Sequence, residues 1–247
     1  MRFSRAWGAT GQGPYGLGEV YNDETYGKLP PLPEQLLNGT FDWLIPEAAG
    51  RGSFYMAPGP VPLGGLDALN RRLAWHGLAL PAAFERFMAS SVLQASVPSC
   101  TACEWENSPR LVASPIEDHA FMLRFMKDQQ GCGYWYLYLG SDGLSPVVGS
   151  ASRYEAADDE PVKIAPASFL ADVRWMAPDF EHFVYRYWIE NVAWFGLVSQ
   201  KRDLRDLNPV VRQYVNHLQA PAGSPLDCWP TPFPAARGGD HGQDQLW

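Results

Sequence analysis

The chain has 247 residues, 46% of them hydrophobic with 10 Trp, 11 Tyr and 12 Phe, and carries 27 Asp and Glu against 19 Lys and Arg for a net charge of −8. That much apolar surface offsets the entropy of ordering a chain and excludes disorder of the whole. The acidic balance, with no local cluster of Lys or Arg, repels a phosphate backbone, so no nucleic-acid partner is expected.

Residues 1–62 read as an irregular arm packed on the domain. Gly8, Gly11, Gly13, Gly16 and Gly18 are followed by Pro30, Pro31 and Pro33, and Tyr15, Tyr21 and Tyr26 are the expected docking side chains. Leu36, Leu37, Phe41 and Trp43 are interrupted by Asn38-Gly39, which predicts a short helical turn and then extended chain. Leu66, Leu69, Leu73, Trp75 and Leu78 have roughly helical spacing, and a second helix is predicted from Pro81 to Ser91 with Phe84, Phe87 and Met88 on one face. Residues 98–115 are polar and read as irregular.

Ala120 to Lys127 and Gly133 to Leu139 read as two strands joined by Asp128-Gln129-Gln130-Gly131, and Gly140 to Gly143 return the chain into Pro146-Val147-Val148. Tyr134 to Leu139 is apolar on both faces and too short for most helices. After an acidic loop, Pro178 opens a helix with Asp179 and Glu181 in its first turn, and Phe180, Phe183, Val184, Tyr187, Asn191, Trp194, Phe195 and Val198 keep the 3.6 period. A last helix is expected from Pro209 to Leu218, then a Pro/Gly-rich tail over 219–247. The expected fold is α+β over residues 63–218: a mainly antiparallel meander sheet with helices packed on one side.

Gly11-Gln12-Gly13-Pro14-Tyr15-Gly16 matches a dinucleotide fingerprint but lacks the strand and helix that make it work, so it reads as a loop. Cys100 and Cys103 have zinc-ligand spacing, with His119 and Cys132 as further candidates. Those later spacings match no familiar ribbon or finger, and Cys132 suits a small apolar place in the hairpin turn. Reduced thiols are the expectation, with a small zinc protein as the alternative and no cofactor. No nucleophile elbow, phosphate loop or His-Glu-x-x-His helix occurs. His182 reads as a hydrogen-bonded boundary residue. No catalytic residue is assigned and no enzyme is expected. No run reaches the ~20 apolar residues that span a bilayer, and Met1 to Thr10 has no apolar leader core, so no membrane partner and a cytoplasmic location are expected.

Three acidic clusters remain: Glu104-Trp105-Glu106, Glu117-Asp118, and Glu155 with Asp158, Asp159 and Glu160. They are either solvated loops or, with Asp142, a negative rim around a tryptophan that suits a basic partner, since aromatic anchors carry affinity and charge sets on-rate.

Leu123-Arg124-Phe125-Met126-Lys127-Asp128-Gln129-Gln130-Gly131-Cys132, then Trp135-Tyr136-Leu137-Tyr138-Leu139 and Asp142-Gly143, resembles the SUKH superfamily of immunity proteins. Ala177 to Phe183, with its Phe180 and Phe183 pair, and Tyr185 to Asn191, with Trp188, Glu190 and Asn191, are similar to that family's closing helix. Leu80-Pro81 through Phe87 is similar to its early helix. The likeness spans roughly residues 66–198. It implies an α+β sheet with helices on one side and a non-catalytic role neutralising a cognate protein toxin, often a nuclease or other nucleic-acid-modifying enzyme. A regulatory or scaffold module is the alternative. The matched residues read as fold residues, with Trp135, Tyr138, Phe180, Phe183, Trp188 and Trp194 packing a core and Arg124 pairing with Glu190; the loops around them choose the partner.

Overall fold

The structure, a computed structural model, describes residues 3–8, 20–44, 63–155 and 164–220. Its centre is the predicted hairpin. Strands β3 (Phe121–Asp128) and β4 (Tyr134–Leu139) pair antiparallel from Phe121 opposite Leu139 to Lys127 opposite Tyr134, with a register shift between Arg124 and Met126. β5 (Val147–Ser150) continues the meander on β4, and β6 (Arg174–Ala177) pairs antiparallel with β5. On the other side of β3 lie β1 (Cys103–Trp105) and β2 (Val112–Ala113), end to end along the same strand. The result is a six-stranded antiparallel α+β sheet.

Because successive side chains point to opposite faces, a run apolar at every position needs cover on both. Leu123, Phe125, Trp135, Leu137 and Leu139 enter the cluster built around helix α5 (Phe180–Trp194). Met122, Tyr136, Tyr138 and Val148 face the other way, under Phe3, Tyr154 and Phe169 of the short α4 (Pro166–Asp172). The main helical layer lies on the α5 side: α1 (Leu63–Ala74), α2 (Ala82–Met88) and α6 (Pro209–Gln219) all contribute to its core.

Asp179 caps α5 by accepting from the His182 N–H at 2.9 Å. All fifteen residues of the helix except His182 and Trp194 are buried, which makes it a central helix, not an amphipathic one lying on a surface. Its polar residues therefore need partners inside. Glu181 accepts from Trp43 Nε1 at 2.8 Å and Gly39 N at 2.5 Å; Arg186 donates to Pro30 O and Tyr214 OH, each at 3.0 Å. Glu190 Oε1 accepts from Trp7 Nε1 at 2.8 Å and Tyr214 OH at 2.6 Å, and Asn191 Oδ1 accepts from Cys100 N at 2.7 Å.

The described parts of residues 1–62 are thus woven into the core: Trp7, Tyr21, Leu29, Leu32, Phe41 and Trp43 are buried there. Residues 4–6 also bond to Trp175 in parallel, Ala6 N to Trp175 O and Trp175 N to Ser4 O at 2.9 Å each, which covers the open edge of β6. Of the expected tyrosine anchors, Tyr21 is buried and Tyr26 OH donates to Met176 O at 2.5 Å. Tyr15, the Gly11–Gly16 motif and residues 221–247 of the tail lie outside the described residues.

Four local readings change. The 98–115 segment is not wholly irregular, since β1 and β2 lie within it. The second helix stops at Met88, and Ser90 caps a separate turn, α3 (Ser91–Ala95), by accepting from Leu93 N at 3.2 Å. α4 and β6 carry no prediction. α1 ends at Ala74, where Gly77 with φ +73 closes it; Trp75 therefore falls outside the helix.

Phe180 is met by the rings of Phe84, Phe87 and Phe125 at 4.9–5.4 Å between centroids. Phe180→Ala is expected to cost about 3–5 kcal/mol in urea unfolding, as large-to-small changes in a packed core do, while Trp75→Ala stays within about 0.5 kcal/mol of the parent.

Candidate partner-binding surface

Alternation along β1 decides the fate of the first acidic cluster. Trp105 faces the core, 4% exposed, stacked on Phe125 at 6.1 Å and edge-on to Phe87 at 4.7 Å. It is a core residue and no anchor for a partner, which corrects the rim reading. Glu104 and Glu106 face away from it and take Lys127 Nζ at 3.4 and 2.8 Å.

Glu155 is buried against Arg124, with Arg153 Nε at 3.4 Å and the Tyr136 hydroxyl donating to Oε2 at 3.1 Å. Arg124 therefore pairs with Glu155, and through Nη1 with Glu106 at 3.3 Å, not with Glu190. The reason is strand parity: Arg124 stands opposite Tyr136 on the face turned away from α5. Burial disfavours the Arg124 charge, but the hydrogen bond and charge of Glu155 outweigh it and hold the guanidinium pKa above its ordinary value. Burial likewise works against the Glu106 carboxylate, and Lys127 with Arg124 overrides it, leaving that pKa low. The expected acidic rim is thus a charge-matched network at these three glutamates. Asp158, Asp159 and Glu160 lie outside the described residues.

Cys103 and His119, two of the four zinc candidates, lie too far apart to share a metal ion. Cys103 sits at the Asp128 end of β3, whereas His119 precedes the other end of that strand, about 25–30 Å away at ~3.3 Å per residue. Among the described residues no group of three or more His, Cys, Asp or Glu could hold a metal ion. Burial pushes the Cys103 thiol pKa up, against hydrogen bonds from Thr101 and its neighbours, the opposite of what a nucleophilic or metal-binding thiolate requires. Cys132 is exposed in the β3–β4 turn and is not packed there as a small apolar residue.

The surface feature that sequence reasoning missed lies at the Phe121–Leu139 end of the sheet. Trp75 is 89% exposed and Leu144 64%. The adjacent His76 ring lies over Phe121 at 4.4 Å, tying the end of α1 to the start of β3. The β4–β5 turn at this end is fixed by Glu117, which accepts from Ser141 N at 3.3 Å and Tyr138 OH at 3.2 Å, and by Asp142, whose Oδ1 accepts from Leu144 N at 2.9 Å. Asp118 and Asp142 are exposed here. Of the predicted partner residues that are described, Asp142 alone lies at this end. A signal for Trp75 was present: Leu66, Leu69 and Leu73 define a stripe that position 75 does not continue, and Gly77 marks the stop.

His182 is held between two carboxylates, Nδ1 to Asp179 at 2.8 Å and Nε2 to Glu34 at 2.9 Å. This is the hydrogen-bonded boundary role expected of it. Burial favours the neutral ring, but Asp179 and then Glu34 outweigh it and raise the pKa; Asp179 is correspondingly lowered. A raised folded pKa means that the His182 contribution is fully present below its ordinary ~6.5 and is lost as pH rises through the folded value. The Asp179 contribution is present above its ordinary value and is lost as pH falls through its depressed one. In urea unfolding at a series of pH values, His182→Gln is expected to remove the loss of stability on the alkaline side of pH 6.5 and leave the curve flatter there.

No helix among the described residues is long and apolar enough to cross a membrane. No protein-family model matches the chain, and no curated protein or solved structure compared with it does so either.

Proposed function

We propose that this chain is a non-catalytic, cytoplasmic immunity-type protein of the SUKH kind that binds a cognate protein toxin and covers its active site. The observation that carries this reading is Trp75, a large aromatic left 89% exposed while the other tryptophans among the described residues are buried or half-buried. Leu144, Asp118 and Asp142 are exposed at the same end of the sheet, so an apolar anchor has acidic company, the combination that recognises a basic surface. The buried, protonated Cys103 and the carboxylate-clamped His182 favour binding over catalysis.

The test is co-expression with a toxin reading frame adjacent to the gene, scored by co-purification and by protection of toxin-expressing cells. Trp75→Ala is expected to weaken the complex about 30-fold or more, the ~2 kcal/mol typical of a tryptophan hot spot, without lowering thermal stability. The pair Asp118→Lys and Asp142→Lys is expected to slow association and reduce its salt dependence. Unchanged affinity and rate in both variants contradict this surface; absence of any complex contradicts the immunity reading.

A further inference from the structure

At the opposite end of the sheet, beside the β3–β4 turn, lies a depression of about 410 Å³ lined by Thr101, Cys103, Asp128, Gln130, Cys132 and Trp135, with the glycine backbones of residues 8 and 133 completing it. The volume is at the small end of ligand pockets.

Its walls are set by strand parity. Cys103 stands opposite Asp128, and Trp135 opposite Met126, so their side chains share the α5 face of the sheet at its open end. Asp128 is fixed rather than free to wander: its backbone N–H donates to Gly133 O at 2.8 Å, and its Oδ2 accepts from Cys132 N at 3.2 Å. Gly133 keeps the space over the indole open, because a Cβ there would stand 3.0 Å from Cη2 of Trp135. The neighbouring Lys127 does not reach in, since Glu104 and Glu106 hold its ammonium on the other face.

The charge of the walls selects the ligand class. Among the described residues, Asp128 is the single carboxylate of the lining, and none of the others there is Lys, Arg or His. The Cys103 thiol stays protonated at neutral pH, its pKa raised first by burial and also by the charge of Asp128. A fixed carboxylate beside a tryptophan ring, with neutral hydroxyl, thiol and amide groups around it, attracts an organic cation through both the ion pair and the ring quadrupole. An anion meets repulsion, and among the described residues a bare metal ion lacks a ligand set.

We propose that this depression binds a primary ammonium on an alkyl stem, carried either by a free alkylamine or by a lysine side chain. The stem lies along Trp135 and the ammonium donates to Asp128. The mouth is open at the exposed Gln130 and Cys132, which leaves room for the rest of either carrier.

Titration of the full chain with n-butylammonium at low salt, followed by calorimetry and by the Trp135 indole N–H signal in NMR, is expected to saturate in the millimolar range, while the neutral isostere 1-butanol gives no saturable response. Asp128→Asn is expected to weaken binding at least tenfold. Gln130→Lys, which keeps the Asp128 turn bond and supplies an internal ammonium, should do the same with an unchanged melting temperature. Putrescine and Nα-acetyl-lysine methylamide separate the two sources: tighter binding of the first indicates a free amine, of the second a polypeptide lysine. No saturable response to any of the amines, equal binding of the alcohol, or undiminished binding by both variants overturns the proposal.

Discussion

The structure depends on two ionic groups buried one helical turn apart on α5. Arg186 and Glu190 sit where a lone charge would cost several kcal/mol, and each is satisfied by chain that arrives from elsewhere. Arg186 donates to Pro30 O and to Tyr214 OH and lies over the rings of Trp7 and Tyr214 at 5.6 and 5.9 Å; Glu190 accepts from Trp7 and from the same tyrosine. Burial alone would lower the Arg186 pKa, but Tyr214 and Glu190 more than reverse that. One network thereby fastens the N-terminal arm and α6 to the central helix. The described parts of the arm, through Trp7, Tyr21, Leu29, Leu32, Phe41 and Trp43, form a wall of the core.

The same logic of internal satisfaction bears on function. Glu104, Glu106 and Glu155 meet Lys127, Arg124 and Arg153, Glu181 meets arm donors, and His182 bridges two carboxylates. Among the described residues, these charged groups are committed to holding the fold. Two places differ. One is the Trp75 end of the sheet, exposed and acidic at its turns; the other is the Asp128 depression at the far end. Both sit where strands stop and loops begin, on a frame stiffened by α5, which suits recognition by positioned loops.

The hairpin and α5 were legible because their periodicities are long and unbroken: β3 and β4 with apolar residues on both faces, and fifteen residues at a 3.6 period opened by Pro178 and Asp179. β1 and β2 were not, since strands of three and two residues carry no alternation to detect and are fixed by β3 alone. Trp105 illustrates the consequence. Flanked by two glutamates it reads as a surface motif, yet a short edge strand with its even face turned out buries the tryptophan and leaves the glutamates to Lys127. The Arg124–Glu155 pair was invisible for a similar reason, because it joins a strand to a loop across a face that only the register defines. The thiols of Cys103 and Cys132 share one end of the sheet while His119 is held at the other, a separation that sequence spacing does not reveal.

The fastening of the arm to Glu190 through the Trp7 indole is measured by a double-mutant cycle in urea unfolding with Trp7→Phe, which keeps a ring but removes the N–H, and Glu190→Met, which keeps the length but removes the acceptor. A coupling free energy of about 1–3 kcal/mol is expected, as for contacting members of one buried network. Additive losses, with coupling near zero, would contradict it.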